Sequence, residues 1–268
     1  MFNINSLAIC VGSSLFFFFS LFNQSFLLFW VIYEIGTLLT FPLFFEGDNN
    51  SSSLFNSLIR YLVVSGLSSS LLFASIILNN WDFLFFIVLS LKLGIFPFNF
   101  WIFKIVQNVN LLLGYMILII AKVPLIVFSG GFLQVSWSNY FFLLICLSLL
   151  YNLCILVNNL NNIKLLFISN FLSSGYVYFL FLSFLDFQSV LLLVSIFVIN
   201  GLILLISLIY YQYLIVFINI RSGNYFNLIG GFILLPFPIT LSLWYKFFSA
   251  SGFLLTNNVF LFFFLVVL

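Results

Sequence analysis

LSLKLGIFPFNFW, residues 89 to 101, places Lys92 in a run that is otherwise almost purely apolar and then interrupts that run with Gly94 and Pro97. In a bilayer both features are costly, because the ammonium leaves water and the proline removes a backbone donor. The rest of the chain is of one kind around this stretch. Over 268 residues it is 65% hydrophobic, 22% aromatic and only 4% charged. With a mean hydropathy of +1.34 it falls outside the soluble class.

The apolar runs recur with lengths of about 18 to 25 residues, the length a helix needs to cross about 30 Å of hydrocarbon. Strand periodicity is absent, which argues against a barrel. Polar punctuation at EGDNNSSS (46–53), NNWD (79–82), NNLNN (158–162) and RSGNYFN (221–227) separates the runs. The reading is an all-α polytopic membrane protein with about ten transmembrane helices. Their expected limits are 4–22, 25–45, 54–78, 83–105, 109–130, 139–157, 163–184, 188–213, 228–250 and 253–268.

Charge and cysteine usage exclude several classes of function. A net charge of +2 with no basic cluster gives no grip on phosphates, so nucleic acid is not a partner. Cys10, Cys146 and Cys154 are scattered in apolar segments, and the chain has no histidine, which argues against a zinc, haem or iron-sulfur site. The N-terminal segment MFNINSLAICVGSSLFFFFSLF lacks both a basic secretory region and an Arg-rich presequence, and reads as the first span. The 42 phenylalanines match T-rich codon usage and suggest an organellar genome. Lys104, Lys164 and Arg221 fall at even-numbered connections, a positive-inside pattern that places both termini in the positive compartment.

Seven basic and five acidic residues carry all the charge, and four of them lie well inside apolar runs. These are Glu34 in FWVIYEIGTLLTFP, Lys92, Lys122 in MILIIAKVPLIVF and Lys246 in PITLSLWYKFFSA. Each would cost roughly 2.5–3.5 kcal/mol at midplane on insertion scales, so such residues face the bundle interior or a water-filled cavity unless they snorkel from a helix end. A carboxylate and several amines in a low-dielectric interior are a physical basis for moving protons, since burial disfavours a charged amine and a nearby carboxylate favours it. Spacing alone does not say whether Glu34 meets Lys92; their pairing is the expectation. Each lysine also sits beside helix breakers: Gly94 and Pro97 after Lys92, Pro124 after Lys122, Pro236 and Pro238 before Lys246. Discontinuous helices with ionisable residues at the break are a recurrent architecture of ion pathways. SGLSSSLL (65–72), SNFLSSGYVY (169–178) and Asn200 add polar groups that either wet such a path or bond backbone.

KLGIFPFNFW at 92–101 resembles the KLG-x-x-PFHFW signature of the mitochondrial NADH dehydrogenase subunit 2 family, antiporter-like membrane chains of respiratory complex I. WVIYEIGTLLTFP at 30–42 is similar to that family's W-x-x-x-E-x-N-x-x-x-F-x-P segment, and AKVPLIV at 121–127 to its QKLAP segment. NNIKLLFISNFLSSGY at 161–176 resembles Q-x-x-RKILAYSSITHMGW, and GGFILLPFPITLSLWYKF at 230–247 resembles GGLPPLTGFLPKW. The resemblance covers roughly residues 25 to 250. Asn99 and Ser173 stand where the family has histidines, the Lys246 segment is one residue out of step, and the C-terminal portion is shorter than usual.

The resemblance implies a single membrane domain over 1–268 built of two inverted five-helix repeats, roughly 1–130 and 139–268, with Lys92 and Lys246 related by their symmetry. It implies a proton-translocating subunit of NADH:ubiquinone oxidoreductase in the mitochondrial inner membrane, encoded by the mitochondrial genome and driven by redox chemistry elsewhere. Glu34 and Lys92 would be a switching pair, Lys122 the central relay and Lys246 the distal relay. This chain would bind no cofactor itself; NAD, FMN, iron-sulfur clusters and ubiquinone would belong to other subunits. Its partners would be other membrane-arm subunits, including neighbouring antiporter-like chains, and phospholipids. The alternatives are a stand-alone cation/proton antiporter and a structural membrane subunit with vestigial pumping residues. Detergent-solubilised membranes separated on a native gel distinguish the first: the chain is expected in the band that stains for NADH dehydrogenase, and migration only as a small separate species would favour the stand-alone antiporter.

Overall fold

The apolar runs form helices, several of whose serines turn inward. In α1 (Ile4–Leu21), Ser6, Ser13, Phe17 and Ser20 recur at spacings of seven, four and three residues and are buried, while Leu7, Val11, Leu15, Phe18 and Phe19 face outward. A soluble helix shows the reverse arrangement. Hydrocarbon solvates leucine and phenylalanine as well as a protein core does, so the interior is left to small and polar side chains that let helices approach. The buried hydroxyls are satisfied locally: Ser13 donates to the Cys10 carbonyl at 3.1 Å and Ser20 to Phe17 at 2.6 Å.

The computed structural model describes residues 4–23, 25–46, 51–77 and 81–130, together with helical positions between 144 and 155 and between 194 and 209. Two compact units are distinguished, Met1–Ser138 and Asn139–Leu268. All regular structure among the described residues is helical. In the first unit α1 packs against α2 (Phe26–Leu39), which passes through a 3₁₀ turn (Phe41–Glu46). There Gly36 lets Phe17 approach so closely that a Cβ would meet its ring at 3.0 Å. α3 (Ser51–Ile77) packs against α4 (Trp81–Leu93), burying Ser57, Tyr61, Ser68, Leu72 and Ser75 along one stripe. The chain continues through α5 (Phe100–Val106), α6 (Leu111–Tyr115), a π turn (Met116–Ile120) and α7 (Lys122–Gly130). Phe128 stacks on Phe29 with centroids 3.9 Å apart and also meets Phe26 and Phe85, tying α7 to α2 and α4. In the second unit Ser148 and Asn152 are buried, as are Val194, Phe197 and Leu205, while Leu147 and Leu150 are exposed.

Among the described residues, three segments are long and apolar enough to cross a membrane: Phe26–Phe45, Ser52–Ser75 and Leu111–Phe128, with Ser6–Leu21 a shorter apolar helix. The chain is a helical membrane protein. The expected span 83–105 is not one helix, because α4 stops at Leu93 and α5 starts at Phe100. Gly94 takes a left-handed conformation, φ +71°, and the Ile95 N–H reaches back to the Ser90 carbonyl at 2.9 Å, the six-residue closure of a Schellman end. The expected span 109–130 runs through Leu111–Phe128, its helix widened by the π turn in which the Ala121 N–H bonds the Met116 carbonyl at 2.9 Å. Pro124 follows in the first turn of α7, where its missing N–H costs least. The expected spans 163–184, 228–250 and 253–268 lie outside the described residues.

A side chain at position 94 is disfavoured by the positive φ, and its Cβ would also meet Cδ1 of Ile102, the end of a flexible side chain that would have to move. Gly94→Ala is expected to lower stability by about 1–3 kcal/mol in thermal unfolding of the full chain in detergent micelles. Adding Ile102→Val, which removes Cδ1, is expected to restore the steric share of that loss and leave the conformational share.

Candidate functional site

Lys92 lies in the last turn of α4, where a cation complements the negative end of the helix. Its ammonium sits 2.6 Å from Glu34 Oε1, and the two side chains are 6% and 20% exposed. Snorkelling is thereby excluded for Lys92: its head points into the bundle. α2 supplies the whole acceptor surface. Glu34 carries the charge; Thr37, one turn on, places its hydroxyl 3.2 Å from Oε2 and 2.8 Å from the Glu34 backbone carbonyl. Tyr33 turns its ring under the ammonium, 4.2 Å from Nζ to centroid, a cation–π contact that adds to the ion pair.

Lys122, the first residue of α7, is 1% exposed. Its Nζ donates to the Leu93 carbonyl at 2.7 Å. The acceptor is one that the sequence sets free. In a continuing α-helix the Leu93 carbonyl would receive the N–H of residue 97, and residue 97 is proline. The amine of α7 therefore docks on the broken end of α4, one residue beyond Lys92. This position is as deep in the bundle as that of Lys92, and snorkelling is excluded here too.

A cavity of about 30 Å³ lies between the two lysines, with Lys92, Lys122, Tyr33, Thr37, Tyr61 and Ser68 among its lining residues. A water needs roughly 10–15 Å³ and several polar partners, and this site has the room and the hydroxyls for about two. Asn99, at the histidine position of the related signature, is fully buried just before α5 with neither end of its amide bonded among the described residues.

Of the four intramembrane charges singled out in the sequence, the structure gathers Glu34, Lys92 and Lys122 in one place; Lys246 lies outside the described residues. Arg60, also within a span, is on the exposed face of α3 and takes no part. Sequence reasoning missed Tyr33, Thr37, Tyr61, Trp101 and the Leu93 carbonyl. Thr37 was accessible from its three-residue offset on the face of Glu34, and the Leu93 carbonyl from the proline four residues on. Nothing local marks Tyr61, which reaches the site from another helix.

No protein-family profile matches the chain. It is similar to the NADH-ubiquinone oxidoreductase chain 2 of the opossum Metachirus nudicaudatus, 29% identical over 161 residues, covering 54% of this chain and 44% of that one. The protein of the same name from Osphranter robustus is 28% identical over 138 residues, 46% of this chain and 38% of its relative. That from Rhipicephalus sanguineus is 30% identical over 97 residues, 34% and 30% of the two chains. The matched stretch is less than half the length of each of these relatives. The chain is thus chain-2-like over those stretches.

Removing Glu34 alone leaves the Lys92 ammonium buried without its carboxylate. Glu34→Ala is expected to destabilise the chain by about 3–5 kcal/mol in chemical denaturation in micelles, and adding Lys92→Met is expected to recover most of that loss.

Proposed function

We propose that this chain, a relative of NADH-ubiquinone oxidoreductase chain 2, is a proton-translocating, antiporter-like membrane subunit of that oxidoreductase, respiratory complex I, in the mitochondrial inner membrane. The observation that carries the reading is the buried ion pair of Glu34 and Lys92 on the same small cavity as Lys122. Redox energy comes from other subunits, which hold the NAD, FMN, iron-sulfur and ubiquinone sites. This chain contributes a set of ionisable side chains whose charges can be exchanged.

With Glu34 ionised, Lys92 is held protonated by its partner. When the charge of Glu34 is withdrawn or compensated by a neighbouring subunit, an unpartnered ammonium at this depth becomes costly. The proton then leaves Lys92 Nζ through the hydroxyl-lined cavity for Lys122. Lys246 receives it next. Lys122, bonded to the Leu93 carbonyl, stands at the break of the helix that carries Lys92, so the two sites respond to the same stretch of backbone.

In the proposed architecture about ten helices form two inverted repeats, roughly 1–130 and 139–268, each carrying one lysine at a discontinuous helix. Neighbouring membrane-arm subunits, other antiporter-like chains among them, pack on its outer faces with phospholipid.

The test is turnover with pumping in energised membranes. Glu34→Gln keeps the shape and removes the charge, and is expected to slow proton-coupled turnover about tenfold or more, about 1.4 kcal/mol of barrier for each factor of ten. Lys122→Ala is expected to lower the protons moved per NADH oxidised. Normal turnover and stoichiometry in both variants would contradict pumping by this chain and favour a structural subunit.

A further inference from the structure

We infer that Trp101 is a positioning residue for the Glu34–Lys92 pair, acting through the last-turn carbonyls of α4. Its indole N–H donates to the Leu91 carbonyl at 3.0 Å, reaching back across the break from α5 to α4. Leu91 directly precedes Lys92 in the chain. In a continuing helix its carbonyl would take the N–H of residue 95, but Ile95 is turned to Ser90 by the Schellman closure. The Leu91 carbonyl, toward which a Schellman end turns the N–H of residue 94, takes the indole as well.

Lys92 therefore sits between two carbonyls that are each held from beyond the break, Leu91 by Trp101 and Leu93 by Lys122. A helix end so clamped cannot rotate or fray freely, and rotation of this last turn is what would carry the Lys92 ammonium off Glu34. Trp101 is itself seated. Its ring meets Tyr61 with centroids 6.4 Å apart, and Tyr61 is wedged against Phe41 and Phe44 of the 3₁₀ turn that ends the Glu34 helix. One side chain thus references the broken end of α4 to the segment that carries the carboxylate. Trp101 also lines the cavity, next to both lysines.

The consequence for pumping rests on the function proposed above; the positioning of the pair does not, and the experiment separates the two. The chain has only two glutamates, Glu34 and Glu46, so carbon-13 labelling of glutamate isolates their carboxylate bands in the infrared spectrum of the full chain reconstituted in vesicles. Glu34→Gln assigns the Glu34 band, and Lys92→Met supplies the spectrum of an unpaired Glu34. The deciding variant carries a benzothiophene ring at position 101, the shape of tryptophan without the N–H. Trp101→Phe is measured beside it.

Both variants are expected to move the Glu34 band toward that of Lys92→Met with Glu46 unmoved. A Glu34 band that stays at its wild-type position in the benzothiophene chain overturns the inference, because packing of the ring is then all that Trp101 contributes. If the band moves and Glu34→Gln leaves pumping intact, the positioning role stands and the pumping reading fails. If the band stays and Glu34→Gln slows pumping, the positioning role alone fails.

Discussion

An ammonium at the depth of Lys92 must be compensated inside the protein, and the bond from its Nζ to Glu34 at 2.6 Å meets that demand. Much of the first unit can be understood from it. α2 brings a carboxylate, a hydroxyl and an aromatic face to one spot, from Glu34, Thr37 and Tyr33. α4 must end there so that its last turn presents the amine, and α3 must offer serines and Tyr61 on the facing side. A pair of this kind is weak evidence of stability, since well-packed apolar residues often do as well. In a chain with so few charges, it is this pair on which the proposed proton exchange rests.

The break that follows Lys92 converts a structural cost into binding capacity. Gly94 permits the left-handed turn, Pro97 withholds the N–H that Leu93 would have received, and Lys122 fills the vacancy. Irregular backbone survives at membrane depth where protein or a cavity satisfies it, and here side chains from α5 and α7 supply the donors. The π turn before Lys122 answers the same need from the other side, delivering the amine to the carbonyl at a widened point of its own helix. The broken end of α4 is stitched to α5 and α7 by polar bonds, in a bundle that exposes many leucine, isoleucine, valine and phenylalanine side chains.

The helical membrane class was legible from run lengths and composition, and the breaker residues beside Lys92 located the interruption after α4. The span drawn as continuous over 83–105 shows what run length misses: apolar residues carry on through 94–99 while the backbone does not. The pairing of Glu34 with Lys92 joins residues 58 positions apart on different helices, and helical periodicity carries no information on such contacts. Tyr61 and Trp101 were hidden for the same reason, since in a chain so rich in aromatic residues a ring with a specific bond looks like any other. Proline arithmetic was the stronger signal, because it names the carbonyl left without a donor.

The central claim is that Glu34 and Lys92 are in contact within the membrane. Solid-state NMR on the full chain in lipid, with nitrogen-15 at lysine Nζ and carbon-13 at glutamate Cδ, reads that contact directly among five lysines and two glutamates. The account expects one strong Nζ–Cδ dipolar coupling that disappears in Lys92→Met and persists in Lys122→Met. No such coupling, or one that survives Lys92→Met, would contradict it.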